Sequence, residues 1–169
     1  MSKTKSYTFN GFVDNNLDSW ILWVEIAEKI FSYLGVCITE CGVLSKNGNR
    51  IKSVKNIKEK LIKLYEKGDV IKSISFYSLK ENYNSYIFDF TVSLTRNSCF
   101  DSYVTLILNY KYYFNFEIAD EKIVELLRNS IIAEEGEIYE MDIDECPEFY
   151  AGKANPKTFY KTLKVLKKI

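Results

Sequence analysis

Between Asp69 and Tyr113 the chain alternates polar and apolar residues through three long runs, DVIKSISFYS, SYIFDFTVSLT and SYVTLILNYKYY. A period of two belongs to a strand, whose successive side chains point to opposite faces. In the middle run Tyr86, Phe88, Phe90, Val92 and Leu94 point one way, and Asp89, Thr91, Ser93 and Thr95 the other. One dry face and one wet face predict an antiparallel sheet, because parallel sheets are covered on both sides and their strands read as unbroken apolar runs. The links LKENYN and RNSCFD are short enough for hairpins, so the three runs form a meander.

Around this centre the period changes. In DNNLDSWILWVEIAEKIFSYLG, residues Leu17, Trp20, Val24, Ala27, Phe31 and Leu34 recur every three or four positions and give a helix one apolar stripe. Asn16 or Asp18 caps its start, and Gly35 supplies the left-handed stop. Trp20 and Trp23 read as core residues. The run VCITEC reads as a strand, SKNGNRIKS as a basic loop, and VKNIKEKLIKLYEKG as a helix capped by Ser53 and ended by Gly68. ADEKIVELLRNSII is a third helix with Asp120 and Glu121 at its positive end. A strand over EIYEMDID follows, and Pro156 opens a last helix, KTFYKTLKVLKKI. With a possible strand at Tyr7–Val13, the expected order is β-α-β-α-β-β-β-α-β-α. That order predicts one domain over residues 1–169, of class α+β: a mainly antiparallel sheet with a central three-strand meander and helices packed on one face.

The chemistry open to such a domain is narrowed by one absence. The chain has no His, so it has no Ser-His-Asp or Cys-His arrangement, no HExxH zinc site and no imidazole acid–base. No catalytic residue, metal ligand set or cofactor motif is assigned. Cys37 and Cys41 are not spaced as CxxC, and on one strand their sulfurs would lie about 13 Å apart, too far to share a metal or a disulfide. They read as buried small hydrophobes of a reduced cytoplasmic protein. The first residues lack the apolar core of a signal peptide, and apolar stretches such as WILWVEIA meet a charge well short of a membrane span.

Charge on this neutral chain is segregated. Glu134–Glu148, EEGEIYEMDIDECPE, carries eight carboxylates and no Lys or Arg. As a strand it sets Tyr139, Met141 and Ile143 on one face and Glu140, Asp142 and Asp144 on the other. Lys46–Lys67 is basic, and the segment from Lys153 onward adds six Lys with no acid. Three readings follow for the acidic run: a hard-metal site, a solvated strand face partly neutralised by the C-terminal lysines, or a docking surface for a basic partner. Segregated charge steers association, and surface Tyr supplies contact area.

In size, composition and the run FYSLKENYNSYIFDFTVSLTRNS, the chain resembles the immunity proteins of bacterial polymorphic toxin systems, including contact-dependent growth inhibition. The resemblance implies a non-enzymatic cytoplasmic protein that binds one cognate toxin protein, often a basic nuclease, and needs no small-molecule substrate or membrane. On this reading Glu137, Glu140, Asp142, Asp144 and Glu145 supply the docking charge. Two alternatives stand beside it: a carboxylate- or metal-dependent enzyme, and a nucleic-acid binder using the Lys46–Lys67 patch.

Overall fold

The computed structural model describes residues 2–113, 115 and 117–169. Eight strands form one sheet in the order β3-β2-β4-β5-β6-β1-β7-β8, and every neighbouring pair is antiparallel. The strands are β1 (Lys3–Phe12), β2 (Glu40–Ser45), β3 (Arg50–Ile51), β4 (Ile71–Leu79), β5 (Phe90–Asn97), β6 (Tyr103–Asn109), β7 (Ile132–Asp142) and β8 (Lys164–Lys168). The helices are α1 (Leu17–Leu34), α2 (Ile57–Glu66), α3 (Asp120–Arg128) and the single-turn α4 (Pro147–Ala151). The chain is α+β, and β4-β5-β6 is the expected meander.

The main core lies between one sheet face and α1, α2 and α3. Trp20 and Trp23 are fully buried there, against Tyr7 and Phe9 of β1 and Val92 and Leu94 of β5. The indoles keep their polar edges satisfied: Trp20 Nε1 donates to Asn15 Oδ1 at 2.7 Å and Trp23 Nε1 to the Ile74 carbonyl at 3.3 Å. The α1 ends are as expected. Asn16 accepts from the Ser19 N–H, and Gly35 takes φ 71°. Ser53 does not cap α2, which starts at Ile57 after a left-handed Asn56. Cys37 lies before β2 and is exposed, while Cys41 is buried, so only Cys41 meets the expectation of core burial.

Two glycines are set by close approach rather than by turns. A Cβ at Gly136 would come within 2.5 Å of the Phe9 ring, and one at Gly11 within 2.1 Å of the Ile132 carbonyl oxygen. Gly136 thus lets the acidic strand lie flush on β1, which keeps Phe9 in the core.

Three expectations are corrected. The opposite sheet face is not wet: Ser93, Thr95, Thr105, Thr8 and Ser6 are all buried, because residues 143–160, with α4, fold back over it. Their hydroxyls bond one another, as in Thr8–Thr105 at 2.7 Å and Ser75–Thr95 at 2.8 Å. Helices therefore do not occupy one face alone. Second, β5 starts at Phe90, and a register shift beside Leu79 turns Phe90 to this second face, with Ile107 and Ile143; Tyr86 and Phe88 stay outside the strand and exposed.

Third, the C-terminal helix is absent. Lys157–Phe159 makes one short turn, and Lys164–Lys168 is the edge strand β8. It sets Lys168 opposite Glu137 and Lys164 opposite Glu140. Backbone groups on the open edge of β7 and opposite-charge cross-strand pairs outweigh the short three-four apolar spacing. Exchanging Lys164 and Lys168 together for Glu should raise amide exchange of β8 about fivefold and leave β1 and β6 unchanged. Unaltered β8 protection would show that charge does not seat the strand.

Candidate functional site

The acidic run does not form one carboxylate face. Glu137 projects on the α4 side of β7, with Tyr139. Its two oxygens accept from Tyr150 Oη at 2.5 Å and Lys157 Nζ at 2.7 Å. Burial works against its charge, but these bonds outweigh burial and hold its carboxyl below the usual range. Glu140 and Asp142 take the opposite side of β7. Glu140 is half-buried opposite Lys164, and Asp142 is buried. Asp144 and Glu145 lie beyond β7 in a short 3-10 turn. Asp144 is exposed, while Glu145 accepts from the Lys161 and Thr162 N–H groups at 2.9 and 3.0 Å. Glu135 pairs with Lys153. The C-terminal segment is thus the internal partner of much of this charge.

The remaining carboxylate of the run, Glu148, is different. It sits in α4 and lines a cleft of about 210 Å³. Tyr77 of β4, Phe90 of β5 and Ile107 of β6 form the wall on the sheet; Tyr86, Ile87 and Phe149 form the mouth. One Glu148 oxygen accepts from Tyr103 Oη at 3.2 Å. Among the described residues no Lys or Arg forms an ion pair with it. Burial raises its carboxyl above the usual range, and hydrogen bonds from Thr95 and Tyr103 only partly oppose that. Burial and the Glu148 charge also push the Tyr77 phenol up to about 12.

The mouth is held by polar contacts outside the cleft. Asp89 accepts from the Asn84 and Ser85 N–H groups at 2.8 and 3.0 Å and pairs with Lys80 at 3.5 Å. Tyr83 Oη donates to Glu40 at 2.7 Å, and the Tyr83 and Tyr86 rings sit 5.1 Å apart. The result is a fixed aromatic rim with exposed apolar surface: Ile87 is 55% exposed, Phe149 55% and Tyr86 38%. Exposed large side chains of this kind, grouped around a concavity, mark interaction sites rather than ordinary surface.

A larger cavity of about 430 Å³ lies beside it, lined by Glu135, Glu137, Tyr150, Lys153 and Lys157. Its acids already meet its lysines, so it offers little unsatisfied charge. The adjacent tyrosines after β6 separate: Tyr113 is buried and donates to the Leu34 carbonyl, while Tyr112 meets Lys80 and Asp89. Lys58, on the basic α2, pairs with Glu25 of α1 at 3.2 Å. Among the described residues, no group of three or more His, Cys, Asp or Glu is placed to hold a metal ion, and no helix is long and apolar enough to cross a membrane.

Sequence reasoning marked Glu148 as acidic but not as distinct. The one signal was its position after Pro147, where the alternation of β7 has ended and two aromatic residues, Phe149 and Tyr150, follow it directly. No family model matches the chain, and no curated protein or solved structure matches it. What the fold and site define is an α+β protein whose second sheet face is capped by a single-turn helix beside an aromatic cleft, lined by a carboxylate with no ion-pair partner among the described residues.

Proposed function

We propose that this chain is a cytoplasmic inhibitor that binds a cognate toxin domain and neutralises it by contact, in the manner of an immunity protein. The observation that carries the reading is the rim of Tyr86, Ile87 and Phe149, exposed around a carboxylate that has no ion-pair partner among the described residues. Aromatic anchors around a desolvated charge are the composition of a binding hot spot, and the charge sets a basic partner. The docking surface supported in this way is the Glu148 cleft with exposed Asp144 nearby in sequence. Of the expected docking set, Glu137, Glu140, Asp142 and Glu145 contribute less than Asp144, because Glu137 and Glu145 are bonded internally, Glu140 lies opposite Lys164 and Asp142 is buried.

The test is growth. The genes beside this one are searched for a reading frame that encodes a large secreted protein, and the C-terminal domain of that protein is expressed in bacteria with and without the chain. Growth arrest by that domain, relieved by the chain, together with a stoichiometric complex in calorimetry, is the expected result. A neighbourhood without such a frame, or arrest that the chain leaves unrelieved, overturns the proposal.

A further inference from the structure

We infer that the Glu148 cleft accepts a single protonated side chain, the guanidinium or ammonium group of an arginine or lysine carried by the basic partner. The inference rests on the partner reading only for the source of the cation. The chemistry of the site stands on its own geometry.

Glu148 lines the cleft together with aromatic side chains. Glu148 has hydroxyl neighbours, Tyr103 of β6 and Thr95 of β5, but no ion-pair partner among the described residues. Tyr77, Tyr86, Phe90 and Phe149 present ring surface to the same space. A cation over aromatic faces is attracted by their quadrupoles, most strongly where water is displaced. An apolar stem suits the rest of the wall, formed by Ile87, Ile107 and Ile143. At about 210 Å³, the volume suits one long side chain better than a drug-sized molecule, whose pockets run from about 300 Å³ upward.

The neighbouring cavity provides the internal comparison. There Glu137 already receives Lys157 at 2.7 Å, and that Lys157 ammonium lies 5.6 Å from the Tyr150 ring centroid. The chain thus contains complete carboxylate–cation–aromatic arrangements, such as Glu137–Lys157–Tyr150 and Asp120–Lys5–Tyr7, whereas at Glu148 no cation of the described residues completes one. The Glu148 arrangement is open at Phe149 and Ile87, both 55% exposed, so the missing group has a way in from solvent.

The full-length chain, isotope-labelled, is titrated with N-acetyl-arginine methylamide and with its neutral isostere, N-acetyl-citrulline methylamide, at moderate salt. The arginine probe should move the Cys146 and Phe149 amide resonances saturably, with a low-millimolar midpoint. Citrulline should bind about tenfold more weakly, and Glu148→Gln should lose about tenfold for arginine alone. Phe149→Ala, at an exposed position that leaves the fold intact, should weaken arginine about threefold with Glu148 still present. Equal shifts from both probes, or undiminished arginine binding by Glu148→Gln, would overturn the assignment. If the probes fail while the chain still relieves growth arrest, only the cleft is wrongly assigned. If the probes bind and no toxin is neutralised, the partner reading falls and the site remains.

Discussion

Replacing Arg96 by Met should lower the unfolding free energy by about 2–3 kcal/mol, read from urea denaturation at constant slope. Arg96 lies in β5 and is 2% exposed. Its Nε donates to the Ser130 carbonyl at 2.9 Å, and its Nη2 donates to the Asp14 carbonyl at 3.0 Å and to Ser19 Oγ. One side chain thereby ties the end of α3 and the entry to α1 onto the middle of the sheet. Its guanidinium also stacks on Trp20, 4.4 Å from a ring centroid.

Opposing terms decide the size of the effect. Nη1 has no hydrogen-bond partner among the described residues, and burial pushes the guanidinium down to about 10, with the Asp14 carboxylate opposing it. Desolvating this cation therefore costs several kcal/mol. Hydrogen bonds from a charged donor contribute about 1.5–3 kcal/mol each, and deleting the donor orphans the acceptors it served. Met keeps the stem and fills most of the volume, so the loss isolates the polar end. Stability equal to wild type would mean that desolvation cancels the bonds, and that α1 and α3 are held by apolar packing alone.

How much of this could be read in the sequence depended on whether the signal was local. The stripe from Leu17 to Leu34, the Asn16 cap and the Gly35 stop lie within one helix, and their period states the burial. The meander was equally legible, since its links are short. Ser93 and Thr95 were legible as one face of a strand but not as buried, because what covers them is a segment some fifty residues further along the chain, folded back by β7. The Lys164–Lys168 run satisfied helical spacing as well as strand alternation. Pairing with the exposed edge of β7 decided between them, and that edge exists only once the sheet has formed. Glu148 lay inside the acidic run and looked like its neighbours. Its difference is an absence: cations that reach Glu137 and Glu135 do not reach it.

That absence yields the second large effect. Glu148→Gln should make the protein more stable at pH 8, by about 1 kcal/mol, because the folded state no longer holds a half-buried charge without a cation. The sign follows from the direction of its shift. The folded carboxyl titrates above its unfolded value, so between the two the folded state keeps a proton that the unfolded state has lost. The stability Glu148 supplies is present below the ordinary carboxylate range and falls away as pH rises through the raised folded value. Wild type should therefore lose stability across that window, and Glu148→Gln should not. Of the groups facing Glu148, Tyr77 and Tyr103 are pushed upward by burial first and by its charge second. Cys146 is pushed upward by burial, with Asp144 and Glu148 adding to it. All three titrate above this window, and Thr95 does not titrate. Gln retains an oxygen for the Tyr103 hydroxyl, so a loss of stability at pH 8 would show that the charge itself serves the fold. A gain would place Glu148 among residues that weaken the folded chain while it is alone, and the energy released when a cation arrives would then be available to binding. The same substitution should thus raise stability and lower affinity, a pairing that a purely structural carboxylate does not produce.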